Sequence, residues 1–187
     1  LDYDIERIGG NESNPVLSLK SPFNINNLCL MVAPNISTRY KNRKDTLKTV
    51  AEYIKEAIKG YIGNYFVYVP SYEYLDMILP YLSDIDGDLI VQEKDMNDYQ
   101  RDEFLSKFLD KPTKTTIGLV ILGGAFGEGV DLVSERLIGV VIVGVGLPQI
   151  CYERNLIKDY FNEKNKMGYK FSYIYPGINK IMQAVGR

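Results

Sequence analysis

Residues 117–132 read IGLVILGGAFGEGVDL. The first six are apolar or small, with no polar alternation, which is the habit of a strand buried on both faces of a parallel sheet. The strand empties directly into a loop holding Gly123, Gly124, Gly127 and Gly129. In an open α/β sheet such a loop stands at the carboxyl ends of the strands, where ligands bind. The same pattern recurs on either side. Tyr65–Val69 (YFVYV) is aromatic and β-branched, and Pro70-Ser71 ends it. Ser71 is placed to cap a following helix, with Glu73 in its first turn. Leu137–Val145 is a nearly continuous apolar run and predicts another strand buried on both faces.

Between these runs the period changes to that of helices. Leu47, Val50, Ala51, Ile54 and Ile58 mark a helix from Arg43 to about Lys59, closed by Gly60 and Gly63. Tyr72, Leu75, Ile78, Leu79 and Leu82 mark a second, which Pro80 should kink or end. Phe104, Leu105 and Phe108 mark a third between Met96 and about Leu109, and Ile150–Asn165 a fourth. Pro176-Gly177 opens a last one, with Ile178, Ile181, Met182 and Val185 along one stripe. Leu89–Val91 is a short strand, and Val16–Leu19 and Leu28–Val32 are apolar runs of strand length. The expected fold is α/β, an open parallel sheet with helices on both faces.

Composition narrows the chemistry. The chain has 187 residues, 45% apolar and 25% charged, enough to bury a real core. It has no histidine, which excludes a histidine-based triad, a Cys-His dyad and an imidazole proton shuttle within it. Cys29 and Cys151 cannot make a zinc cluster or a disulfide framework and read as reduced, buried thiols of a cytoplasmic protein. No apolar run approaches the roughly 20 residues of a membrane helix, so no membrane partner is expected. The chain opens on Leu1 and closes on Arg187 inside a helical pattern, which reads as a piece of a larger polypeptide.

Charge is unevenly spread around a net of -2. Residues 73–110 carry eleven acidic and three basic groups, while 39–72 and 152–187 each carry seven basic and three acidic. That pattern fits one wet acidic side and one face for an anion, or simply solvated helix faces.

The glycine loop can cradle an anion with backbone N–H groups, or can be a tight turn needing positive φ. Gly124-x-x-Gly127-x-Gly129 is also loosely similar to a dinucleotide or adenosyl-methionine loop. Such sites want an acid at the end of the next strand, which here ends Val143-Gly144-Val145-Gly146. Glu128 and Asp131 suit holding the loop through backbone N–H groups, or anchoring an arginine. Gln183 and Arg187 lie one turn apart on one helix face and can reach one phosphate, Arg187 as a planar bidentate donor; a cation is favourable at a helix end in any case. No G-x-x-x-x-G-K-[ST] occurs, so the chain cannot cradle ATP in the P-loop manner by itself.

Taken in order, these segments resemble the second motor domain of superfamily 2 DNA helicases of the DinG and XPD branch. SPFNINN and TRYKNR are similar to that branch's entry into the domain. YFVYVPSYEYL resembles motif IV, GGAFGEGVDL motif V, and YPGINKIMQAVGR motif VI. The resemblance implies a RecA-like fold, with residues 1–27 an arm from a preceding domain and 28–187 the domain proper, cut within motif VI.

It further implies ATP and Mg2+ held mainly by a first, N-terminal RecA-like domain, with single-stranded DNA as partner and a role in repair or replication. An iron–sulfur cluster of some relatives would lie outside this chain, and no metal site is implied within it. By position, the resemblance makes Arg187 the first motif VI arginine and the candidate catalytic one. The same resemblance implies that Gln183, Gly186, Gly129 and Asp131 would face the nucleotide, and Ser71, Tyr72, Gly124 and Glu128 the DNA. The basic stretch Arg39–Lys48 would add attraction for DNA. The family's next motif VI arginine lies beyond Arg187. Gly127 stands where relatives carry a bulkier or hydroxyl residue, which would loosen the loop. The alternatives are a Rossmann-like dinucleotide- or adenosyl-methionine-binding enzyme domain, and a motor-like domain kept only for interaction.

Overall fold

The computed structural model of the chain describes residues 2–11, 13–22, 24–127, 130 and 132–186. It divides into two units, Leu1–Asn35 and Ile36–Arg187. In the first, helix α1 (Asp2–Arg7) and a 3-10 turn at Ile25–Asn27 are the regular elements. Asn24 caps that turn, its side chain accepting from the Asn26 N–H at 3.0 Å. Val16–Leu19 and Leu28–Val32 do not form strands, contrary to the sequence expectation; Leu17, Leu19, Met31 and Val32 are exposed. A strand exists only by pairing, and an apolar run does not supply its own partner.

The second unit holds α2 (Arg43–Ile58), β1 (Asn64–Val69), α3 (Tyr72–Ile78), β2 (Asp88–Val91), α4 (Asp98–Ser106), β3 (Thr116–Ile121), β4 (Gly139–Ile142), α5 (Tyr152–Asn165) and α6 (Tyr175–Val185). The four strands form one parallel sheet in the order β2-β3-β1-β4. On β1, Asn64 pairs with Thr116 through Val69 with Ile121, and Tyr65 with Gly139 through Tyr68 with Ile142.

Successive side chains on β1 point to opposite faces, and this divides the core in two. Tyr65, Val67 and Val69 pack with Leu47, Ile54, Tyr74 and Ile78, from α2 and α3. Phe66 and Tyr68 pack with Phe104 of α4, Phe108, Phe126 and Ala184 of α6. Helices thus cover both faces, as the run-and-period pattern predicts. Pro80 ends α3, and a 3-10 turn at Leu79–Leu82 follows.

Two expectations need correction. The run Leu137–Val145 contributes only the four-residue β4, half-buried along its length, because it is an edge strand of the sheet. Run length records apolarity, not position in the sheet. Cys29 and Cys151 are exposed rather than buried. Cys151 sits at the amino end of α5, where the chain turns on the surface.

Candidate functional site

The site grows from the end of β1. Ser71 Oγ accepts the Tyr74 N–H at 3.2 Å, so the hydroxyl caps α3 as expected. A hydroxyl that accepts as a cap still has its O–H to donate. Tyr72 opens α3 and is half-buried. Its phenol oxygen accepts from Gln92 Nε2 at 2.9 Å and donates to the Glu93 carbonyl at 3.2 Å. Burial pushes the Tyr72 phenol above its usual range; Asp95 adds to the rise, while the Gln92 hydrogen bond and Arg101 oppose it. The hydroxyl is therefore neutral and a donor at neutral pH. Lys94 Nζ lies 5.5 Å over the Tyr72 ring.

Gln92 follows β2 and is only 5% exposed. Its Oε1 accepts the Ile121 N–H at 2.8 Å, at the end of β3. From there the glycine loop folds back on itself. The Gly124 N–H donates to the Ile121 carbonyl at 3.0 Å, and the Gly127 N–H to the Gly124 carbonyl at 2.8 Å. Beneath it, Tyr68 Oη donates to the Phe126 carbonyl at 3.0 Å. Tyr72, Gln92, Arg101 and Gly124 line one shallow cavity of about 200 Å³. Arg101 Nη1 reaches Asp98 at 3.2 Å, and its buried Nε has no protein partner among the described residues.

The last helix closes the other side of the loop. Gly123 has φ +71°, and a Cβ there would stand 2.6 Å from Lys180 Cδ. Glycine suits the left-handed backbone there without strain, and the lysine stem lies across it. Gly127 is also tightly set: a Cβ would stand 3.0 Å from Gly123 Cα and 3.1 Å from the Gly124 carbonyl oxygen. The small residue therefore lets the loop wind closely, rather than loosening it as the sequence suggested. Gln183 is exposed near the end of α6, and Gly186 closes the helix, its N–H donating to the Met182 carbonyl at 3.0 Å. The structure thus brings Ser71, Tyr72 and Gly124 to one end of the sheet. Glu128, Gly129, Asp131 and Arg187, named from the sequence, lie outside the described residues.

A family sequence model of the helicase C-terminal domain matches residues 54–187, well over half of the chain. The chain belongs to that family. The helicase C-terminal domain is 30% identical over 154 residues to a probable ATP-dependent helicase of Methanocaldococcus jannaschii, covering 78% of this chain and 23% of that protein. It therefore spans under a quarter of the curated relative's length. A solved structure of XPD in the apo state has a TM-score of 0.65 to it at 22% identity, covering 81% of this chain and 31% of that one. The resemblance to an XPD- or DinG-type second motor domain, drawn from three motifs, holds. Membership of that family takes the place of the Rossmann-like enzyme domain as the reading of the chain.

Three residues of the helicase C-terminal domain escaped the sequence reading: Gln92, Lys180 and Arg154. Gln92 left a signal, a lone amide closing the apolar run Leu89–Val91 at a strand's carboxyl end. Arg154 left none. A π-helical turn, Lys170–Ile174, leads into α6. Ser172, within that turn, is fully buried. Arg154 of α5 ties the turn to its own helix, Nη1 donating to the Ser172 carbonyl at 2.9 Å. Arg154→Met keeps the stem and removes the donor. It is expected to cost about 1.5–3 kcal/mol, the worth of a hydrogen bond from a charged donor, read as a lower midpoint in urea unfolding. The basic stretch Arg39–Lys48 is partly structural: the Arg43 guanidinium lies 5.2 Å from the Tyr40 ring centre and 5.3 Å from that of Tyr74.

Proposed function

We propose that this domain is the second half of an ATP-dependent DNA helicase motor. It closes on ATP held by a first motor domain and grips single-stranded DNA across the carboxyl ends of its strands. One observation carries the reading. The motif IV pair Ser71-Tyr72 and the start of the motif V loop at Gly124 stand together at one end of the sheet, with the motif VI helix packed against the same loop through Lys180.

Small hydroxyls and backbone amides suit a track that holds phosphates without reading bases. In this reading the Ser71 hydroxyl donates to the strand's phosphates, and the Tyr72 ring, its own O–H held by the Glu93 carbonyl, lies against them. The loop from Gly124 through Glu128, Gly129 and Asp131 links that track to the nucleotide. Gln183, Gly186 and Arg187 face the triphosphate. Among the described residues no group of three or more acidic or thiol side chains could hold a metal ion, and no P-loop occurs. In this reading the nucleotide and Mg2+ are held by the first motor domain, and phosphoryl transfer asks this half for positioning and positive charge, not covalent chemistry. Repair or replication is the setting this chemistry suits.

The test is ATP turnover with and without single-stranded DNA. The full-length protein is expected to show DNA-stimulated hydrolysis, and purified residues 1–187 none. Substantial turnover by 1–187, or no stimulation of the full-length protein, would overturn the proposal.

A further inference from the structure

We infer that Gln92 is a positioning residue that holds the motif IV tyrosine and the motif V loop in one frame. The inference rests on the proposed track for nucleic acid and assigns a residue that lies in neither motif. The Gln92 N–H donates to the Leu119 carbonyl at 2.9 Å, the last bond of the β2–β3 ladder. In a parallel ladder the next bond would run from the Ile121 N–H to the main-chain carbonyl of residue 92. The Gln92 side chain takes that place instead, with Oε1 on the Ile121 N–H at 2.8 Å. The main chain is thereby released from the sheet one residue early, and the Glu93 carbonyl comes to accept from Tyr72 at 3.2 Å.

The same amide uses its other end on the Tyr72 oxygen at 2.9 Å. Its orientation is fixed, because the reversed amide would set an N–H against the Ile121 N–H. At 5% exposure it has little access to water as a substitute partner. Gly124, whose N–H bonds back to the Ile121 carbonyl, is tied into the same unit. A strand that pulls on Tyr72 therefore pulls on the root of the glycine loop through a single side chain.

The experiment measures ATP turnover in the full-length protein against single-stranded DNA concentration. Gln92→Met, of similar length but without amide groups, is expected to raise the half-saturating DNA concentration about tenfold, on the order of one lost hydrogen bond. The maximal rate stays within about twofold. Tyr72→Phe removes the partner hydroxyl and is expected to give a similar rise. The double variant is expected to be no worse than the poorer single, because both changes break one link. Gln92→Glu keeps the acceptor for Ile121 and is expected to fall between parent and Gln92→Met; with Tyr72→Phe it carries the test if Gln92→Met does not fold.

An unmoved half-saturation in Gln92→Met, or effects that add in the double variant, would overturn the inference. So would a lowered melting temperature accompanied only by a proportional loss of rate, which is the signature of a purely structural amide. Absence of DNA stimulation in the parent protein would instead remove the helicase reading, and this inference with it.

Discussion

Arg187→Ala in the full-length protein is expected to lower ATP turnover by roughly 10³-fold or more, while DNA affinity stays near that of the parent. The magnitude is that of an arginine finger in nucleotide hydrolases generally. Charge in the transferring phosphoryl group spreads over three oxygens, and a planar guanidinium can donate to two of them at once. Lysine is a point charge on a flexible stem, so Arg187→Lys should recover little. Steady-state hydrolysis at saturating ATP and DNA gives the rate, and fluorescence anisotropy of a labelled oligonucleotide gives the affinity. A near-normal rate would move the finger to an arginine outside residues 1–187. Equal losses of rate and DNA affinity would place Arg187 on the track instead.

Phe66→Ala carries the largest expected loss of stability, about 3–5 kcal/mol. Domains of this size have only about 5–15 kcal/mol in hand. Phe66 lies on the central strand with none of its surface exposed. Its ring centre is 4.9 Å from that of Phe108, edge to face, and 6.4 Å from those of Phe104 and Phe126. Phe104 and Phe108 stand at the end of α4 and Phe126 in the glycine loop, so closing the gap would require the helix end and the loop to move together. Phe126 belongs to the glycine loop and stacks on Phe104 at 4.4 Å. Truncation therefore weakens the backing of the loop as well as the sheet. Urea unfolding of residues 1–187 reads the loss as a shifted midpoint, and faster amide exchange at 122–127 reads the loosened loop. A loss below about 1 kcal/mol would mean that the cluster repacks freely.

The elements most legible in the sequence are those whose surroundings are uniform. β1 and β3 are buried along nearly their whole length, so apolarity alone marks them. The buried face of α2 carries the five residues that its period named. Ser71 caps and Pro80 breaks because both act through their own backbone neighbours. Illegible were features decided by contact between distant segments. Nothing local shows that Leu28–Val32 stays unpaired or that β4 lies at an edge. Gln92 joins residues 20 and 29 positions away, and Arg154 answers a carbonyl 18 positions away. For the site, Ser71, Tyr72 and Gly124 were legible through motif order. The amide that ties Tyr72 to the loop is polar in an apolar run, and its bonds exist only once three segments are assembled.

The π-helical turn at Lys170–Ile174 carries a consequence for aligning this chain with its relatives. Such a turn accommodates one residue more than an α-helical turn of the same reach. Losing one residue there would return the turn to α geometry while leaving Lys180 and Gln183 on their present sides of α6. Losing one inside α6 would instead swing everything beyond it by about 100°. A homologue whose count between Arg154 and Gln183 differs by one can therefore present the same helix face, and a gap placed in this turn is the structurally neutral choice.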